Sequence, residues 1–334
     1  MGGWKKMISG ILALTCGLGA MGCTTALTAS QTTSPRITFE GEPPAWADSA
    51  SSVMTELEQW RGLSFKQSLQ VTFQPQDDPT LNGWYNSETK QLVVTTSGSD
   101  ELGRGVMLHE MFHALQDQHF DLYSLHLQTQ TAPDYDKAVT AVIEGEAMLA
   151  VSELLNYDFL AHAQLPPDGP VSEQLFENIF LYGAGLQFIQ AVREDGGWDA
   201  VSAVFADPPQ ATALILNPER YLAGERATAP AEIPLEADES LNAQTIRGEY
   251  AIRLLLAKQP ETRSLVTDMG STYLTDTLGV ITDGSGNTLH RWVIELSSLD
   301  NSDQLASDLA TALQPELQKQ PLVEIQDNAV VLEW

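Results

Sequence analysis

The sequence predicts an α+β protein: a mainly helical core, a small sheet toward the N-terminus and a small α+β subdomain at the C-terminus. Three observations predict it. Apolar residues recur at helical spacing through most of residues 100–206. Two short β-branched runs precede them, and the last third turns to strand-like runs separated by a Gly-rich turn. No internal repeat is present.

In chain order, Trp46 to Arg61 reads as an amphipathic helix with Val53, Met54, Leu57 and Trp60 on one side. Leu69 to Phe73 and Gln91 to Thr95 read as strands. Between them Asp77-Asp78-Pro79 and Leu81-Asn82-Gly83 signal turns, and Trp84-Tyr85-Asn86 starts a hairpin into Gln91-Leu92-Val93-Val94. A helix then begins near Asp100-Glu101, acidic residues that suit a helix start, with Leu108, Phe112 and Leu115 as its apolar stripe. A second apolar helix is expected from about Tyr135 to Tyr157, with further helices at Ser172 to Glu194 and Trp198 to Ala206. Pro208, Pro209, Pro218, Pro230 and Pro234 mark residues 207–238 as irregular. A helix over Gln244 to Lys258 leads into a hairpin, Leu278 to Thr282 and Leu289 to Leu296, about Asp283-Gly284-Ser285-Gly286-Asn287. Asn301 to Leu313 is helical, and Val323 to Ile325 with Val330 to Leu332 forms a last hairpin about Asp327-Asn328.

The N-terminus carries a targeting pattern. Lys5 and Lys6 precede an apolar stretch, Met7 to Gly22, too short and loose for a good membrane-spanning helix. Ala20-Met21-Gly22-Cys23 resembles a bacterial lipobox, with Ala20 where leucine is usual, which implies a lipid on Cys23. Ordinary cleavage near Ala20 to Ala26, giving a secreted or periplasmic soluble protein, is the alternative. The polar run from Thr24 to Pro35 suits a tether. The expected division is therefore signal peptide 1–22, tether 23–40, main domain 41–244 and C-terminal subdomain 245–334.

Composition removes several functions. The only cysteines are Cys16 and Cys23, so the mature chain has no disulfide, thiol nucleophile or Cys/His zinc finger. The formal charge is −28, and two units more negative without Lys5 and Lys6. Such a surface repels nucleic acid and anionic membranes.

His109-Glu110-Met111-Phe112-His113 is the stretch that specifies a chemistry. On a helix, residues four apart lie one turn apart on one face, so both imidazoles can reach one ion. Glu110 is turned about 100° from His109, where a carboxylate can take a proton from a water at the metal. Leu102 and Val106 lead into the row of His109 and His113, placing the pair beside the buried face. The bland alternative is two inert core histidines.

Two histidines leave a catalytic zinc one protein ligand short. Glu144 and Glu146, about 30 residues after His113, are the candidates. They point about 160° apart on a helix, so at most one faces the metal, and periodicity leaves the choice open. Gly145 suggests a close helix–helix approach, with the His109 helix as the expected partner.

The combination of H-E-x-x-H with Glu144-Gly145-Glu146-Ala147, an E-G-x-A sequence, resembles the gluzincin branch of zinc metallopeptidases. The order of a small sheet before the H-E-x-x-H helix is also usual in such enzymes. This resemblance implies a zinc-metallopeptidase-like core, Zn²⁺ as cofactor, Glu144 as third ligand and peptide-bond hydrolysis with Glu110 as general base. HEMFHALQDQHFDL (109–122), VIEGEA (142–147) and PPQATALILNPERYL (208–222) also resemble a poorly characterised group of exported bacterial proteins of this type, over about residues 90–295. In that group a histidine often stands where this chain has Asn217, a departure that bears on activity. The rival expectation is a non-catalytic envelope lipoprotein that keeps the fold for binding or structure.

Other candidates carry weaker signals. Asp117 or Asp121 is expected either to orient a ligand imidazole or to be an exposed acidic helix end. His119 and His126 are near in sequence. Tyr182 and Tyr221 are candidate oxyanion donors. His162 and His290 have no supporting constellation.

Overall fold

The computed structural model describes residues 36–334 apart from 76–81, 96–99, 167, 170, 228, 267–271, 299–301, 318–319 and 327. The signal segment, the lipobox-like sequence and the tether up to residue 35 lie outside the described residues, as do the turn residues Asp77, Asp78, Pro79 and Leu81. The chain is mixed α+β, about half helical, with two small sheets. It divides into two compact units. One takes the chain to Leu125 together with Ala147–His162; the other takes His126–Glu146 and Ala163–Trp334.

The first unit is built on a four-stranded sheet. Strands β1 (Ile37–Glu40), β2 (Leu69–Gln74), β3 (Gly83–Asn86) and β4 (Gln91–Thr95) take the order β1-β2-β4-β3. β1 and β2 are parallel, as are β2 and β4, while β3 runs antiparallel on the edge. Residues 37–40, expected as the end of the tether, are thus sheet. Parallel neighbours need a crossover, and helix α1 (Ala50–Arg61) lies within the one from β1 to β2. A 3₁₀ turn, Ala45–Ser49, leads into it, and Gly62 ends it in the left-handed region, at φ 73°. β2 alternates buried and more exposed residues, whereas four of the five residues of β4 are buried.

Helix α2 (Asp100–Phe120) lies against β3 and β4 on one side and α1 on another. It is apolar over more than one stripe: Val106, Met107, Leu108, Met111, Phe112 and Leu115 are all fully buried. Two glycines permit its close approach. A Cβ on Gly103 would stand 2.4 Å from the Trp46 ring, and one on Gly83 of β3 would stand 2.5 Å from Val106 Cγ1 and 3.3 Å from Glu110 Cγ. Asp121, at φ 51°, turns the chain into α3 (Leu122–Thr129). Its carboxylate accepts from the backbone N–H and hydroxyl of Ser124, which lowers its pKa.

Helix α4 (Pro133–Leu154) is continuous from the second unit into the first. The other helices of the second unit include α5 (Glu173–Asn178), a π-helical turn over Ile179–Ala184, and α6 (Gly185–Val204). α6 breaks at Gly196–Gly197, where Gly197 takes φ 68°, between the two helices expected there. Two five-residue helices, α7 (Thr212–Leu216) and α8 (Pro218–Leu222), occupy the stretch expected to be irregular. Helices this short carry no periodic signal and rely on tertiary packing.

The second sheet is antiparallel, with order β5-β6-β7-β9-β8: β5 (Ser240–Thr245), β6 (Tyr273–Thr282), β7 (Thr288–Leu296), β8 (Leu322–Gln326) and β9 (Ala329–Glu333). Helices α9 (Gly248–Lys258) and α10 (Ser302–Leu317) pack together. Ala231, Ile233, Ile281, Val293 and Val331 form one of the buried clusters of this unit. The helix expected from Gln244 begins only at Gly248. The preceding residues form the exposed edge strand β5, whose sequence SLNAQT buries no face and which is held by pairing with β6. Among the described residues, no helix is long and apolar enough to cross a membrane.

Candidate metal site

Helix α2 brings the two histidines of the motif together. The Nε2 atoms of His109 and His113 lie 2.9 Å apart, with their rings edge to face. Two nitrogens bound at 2.0–2.1 Å to one tetrahedral zinc would be roughly 3.3 Å apart, so this separation is close to what a shared ion requires. Glu144 supplies the third group: ligand atoms of His109, His113 and Glu144 all lie within 4.8 Å of one another. The three residues are buried, as is Glu110. Two imidazoles and one carboxylate form a donor set that suits zinc with an open position. This buried group could hold a metal ion.

The choice between Glu144 and Glu146 is decided by orientation. Both are buried, but Glu144 is the one that joins the histidines. Gly145 between them faces elsewhere, and here the expectation is corrected. A Cβ on Gly145 would stand 2.1 Å from the carbonyl carbon of Gly185, and one on Gly185 would stand 2.1 Å from Ala141 O. The close approach is therefore between α4 and the start of α6, not with the H-E-x-x-H helix. Glycine permits it because no side chain intervenes.

A residue that sequence reading passed over touches the site. Gln116 Oε1 lies 2.9 Å from Nδ1 of His113, and both side chains are buried. Its signal was positional: three residues after His113, it shares that helix face.

Asp117, expected to orient a ligand or to be exposed, does something else. It is buried and accepts from the Tyr85 hydroxyl at 2.6 Å, from Lys90 Nζ at 2.7 Å and from the Leu122 backbone N–H at 3.1 Å. It ties β3 and the β3–β4 turn to the end of α2. Burial, then the Asp117 carboxylate, raises the Tyr85 pKa. The other four histidines and Tyr221 have partners of their own. His119 Nε2 meets Ser64 O, and His126 pairs with Asp136. His162 stacks on Tyr157 and His290 on Trp334. Tyr182 is buried in the π-helical turn. Tyr221 donates its hydroxyl to Asp207 O, with the Arg226 guanidinium over its ring.

Asn217 stands between α7 and α8, where its amide donates to Ala213 O and, at 3.0 Å, to Glu249. Glu249 also binds Arg253. It belongs to a second buried polar cluster, within the second unit. There Asp134 accepts from the backbone N–H and hydroxyl of Thr212, whose hydroxyl in turn accepts from Tyr250 N–H. Asp276 accepts from Arg247 N–H, Gly248 N–H, the Tyr273 hydroxyl and Trp292 Nε1. Burial pushes the Asp134 carboxyl up to about 7, with the negative charges of Asp276 and Glu249 adding to the effect and the Thr212 bonds opposing it. Burial likewise raises Glu249 against the pull of Arg253. Asp134 also lines a pocket of about 240 Å³ with Tyr135, Gln210, Gln244 and Tyr273.

No family model, no curated protein and no solved structure matches this chain.

Proposed function

We propose that the chain is an exported zinc metallopeptidase whose core follows the gluzincin pattern that H-E-x-x-H and E-G-x-A suggest. The observation that carries this reading is the meeting of His109, His113 and Glu144, three buried donors within 4.8 Å, from two helices. His109, His113 and Glu144 would hold the ion. Zinc, when bound, supplies a Lewis acid and lowers the pKa of a coordinated water toward neutrality. Glu110, next to His109 on α2, serves as general base: it takes a proton from the attacking water and passes it to the leaving amine. An H-E-x-x-H site kept only for structure would need neither that carboxylate nor an open coordination position.

The substrate on this reading is a peptide or protein, and the strongly acidic surface disfavours nucleic acid. A lipid on Cys23 would hold the protein to the cell envelope. Expressed in a bacterium, the chain should then partition with membranes, and Cys23→Ser should release it. A wild-type N-terminus found unmodified at another residue would instead make it a freely secreted or periplasmic protein.

The test of catalysis compares wild type with Glu110→Gln on one peptide library, at matched zinc content. Glu110→Gln should keep the fold and the metal but lower turnover by about 10²–10⁴-fold. Equal cleavage by both proteins would point to a contaminating protease. Full zinc occupancy without cleavage by wild type would favour the rival reading, a non-catalytic envelope protein, with Asn217 the first departure to restore to histidine.

A further inference from the structure

We propose that Gln116 is a positioning residue that fixes the tautomer of His113 and so turns a nitrogen lone pair toward the ion site. The inference rests on the metal reading above and deepens it.

A neutral imidazole carries one N–H, and which nitrogen bears it is set by the hydrogen bond that the ring makes. The side-chain oxygen of glutamine is an acceptor only. Gln116 turns Oε1 toward Nδ1 of His113 at 2.9 Å, a pairing that forms a hydrogen bond only when Nδ1 carries the proton. Nε2 is then the nitrogen with the lone pair, and Nε2 is the atom that faces His109. The bond lies in a buried setting, where a hydrogen bond is electrostatically stronger than in water. Both partners sit on α2 three residues apart, so the helix itself holds the geometry.

Asp117, the next residue, is placed for another task. It is committed to Tyr85, Lys90 and the start of α3. A neutral amide also has a consequence that a carboxylate would not: it orients the ring without adding a further negative charge to a region that already buries Glu110 and Glu144.

The test uses the full chain and zinc itself. Zinc affinity is measured by chelator competition for wild type, Gln116→Met and Gln116→Glu, and the histidine ring nitrogens of zinc-free wild type are read by ¹⁵N NMR. His113 should show a protonated Nδ1. Gln116→Met, similar in size but without a strong acceptor, should weaken zinc binding by about 10–100-fold. Gln116→Glu, which restores an acceptor oxygen, should bind within a few-fold of wild type or more tightly. A residue that merely fills space would show no such rescue. Near-wild-type affinity for Gln116→Met, or a protonated Nε2 on His113, would overturn the proposal while leaving the metal site standing. Absence of zinc binding by wild type would instead sink the metal reading; the nitrogen spectrum would still decide the tautomer. That spectrum also decides it if Gln116→Met does not fold.

Discussion

The chain buries two polar clusters, and they meet the cost of burial differently. In the second unit, Asp134, Asp276 and Glu249 are answered by donors of the chain: backbone N–H groups, the hydroxyls of Thr212 and Tyr273, the Trp292 indole, the Asn217 amide and the Arg253 guanidinium. At His109, His113 and Glu144, three groups that can each ligate a cation come within 4.8 Å of one another. Buried charge is tolerated when it is hydrogen-bonded, paired or bound to a metal. The first arrangement suits a clasp between helices and a sheet; the second suits a cation. The contrast teaches that burial and acidity alone do not mark a site. What marks it is whether groups able to ligate one ion converge.

The largest expected effect tests the convergence. Wild type should carry about one zinc per chain, and His109→Ala with His113→Ala should carry none. Retention of stoichiometric metal by that double variant would break the assignment. Glu144→Ala should weaken zinc affinity at least tenfold more than Glu146→Ala. If the order reverses, Glu146 is the ligand and the orientation of α4 at this point is wrong.

The next effect tests the clasp. Asp276→Ala removes an acceptor shared by four donors, two of them the buried Tyr273 hydroxyl and Trp292 Nε1. Donors left buried and unsatisfied should cost about 3–5 kcal/mol in total, read as a shift in urea midpoint at unchanged slope. A loss below about 1 kcal/mol would mean that solvent reaches the cluster.

The clasp should also be sensitive to pH. The carboxyl of Asp134 is held up to about 7 in the folded chain, against an ordinary 3.8. Between those values the native state binds a proton that the unfolded chain has released. Its contribution is therefore full below about pH 4, is lost as pH rises toward 7, and changes little above that. Over that window the loss should be on the order of a few kcal/mol. Asp134→Asn should flatten this part of the curve. An unchanged slope in that variant would place the titration elsewhere.

The smallest effect concerns packing rather than charge. Gly145→Ala would set a methyl against the Gly185 backbone, and α4 and α6 would have to separate. Overpacking of this kind costs about 1–3 kcal/mol. If thermal unfolding is unchanged, the two helices are less tightly apposed than described.

Much of this molecule was legible residue by residue. The β3–β4 hairpin, α2, the break at Gly196–Gly197 and the β6–β7 hairpin follow from periodicity and from glycine. Local backbone preferences and burial patterns act within about one turn or one strand, so sequence states them directly. The same holds for His109, Glu110 and His113, whose spacing on a helix is set by 3.6 residues per turn. Strand β5 and helices α7 and α8 were not legible, because their residues have weak local preference and are held by partners distant in the chain. Asp117 was misjudged for a related reason: its partners, Tyr85 and Lys90, lie about 30 residues earlier.

Sequence by itself determined the α+β composition, the two-histidine face with its adjacent carboxylate, the strongly acidic charge and the absence of cysteine after residue 23. Only the tertiary structure decided that Glu144 rather than Glu146 joins the histidines, that Gly145 meets Gly185, and that Gln116 lies against the His113 ring while Asp117 meets Tyr85 and Lys90. The physical reason is one of range. Helical spacing fixes which side chains share a face, but which face meets which neighbour depends on how helices separated in sequence pack.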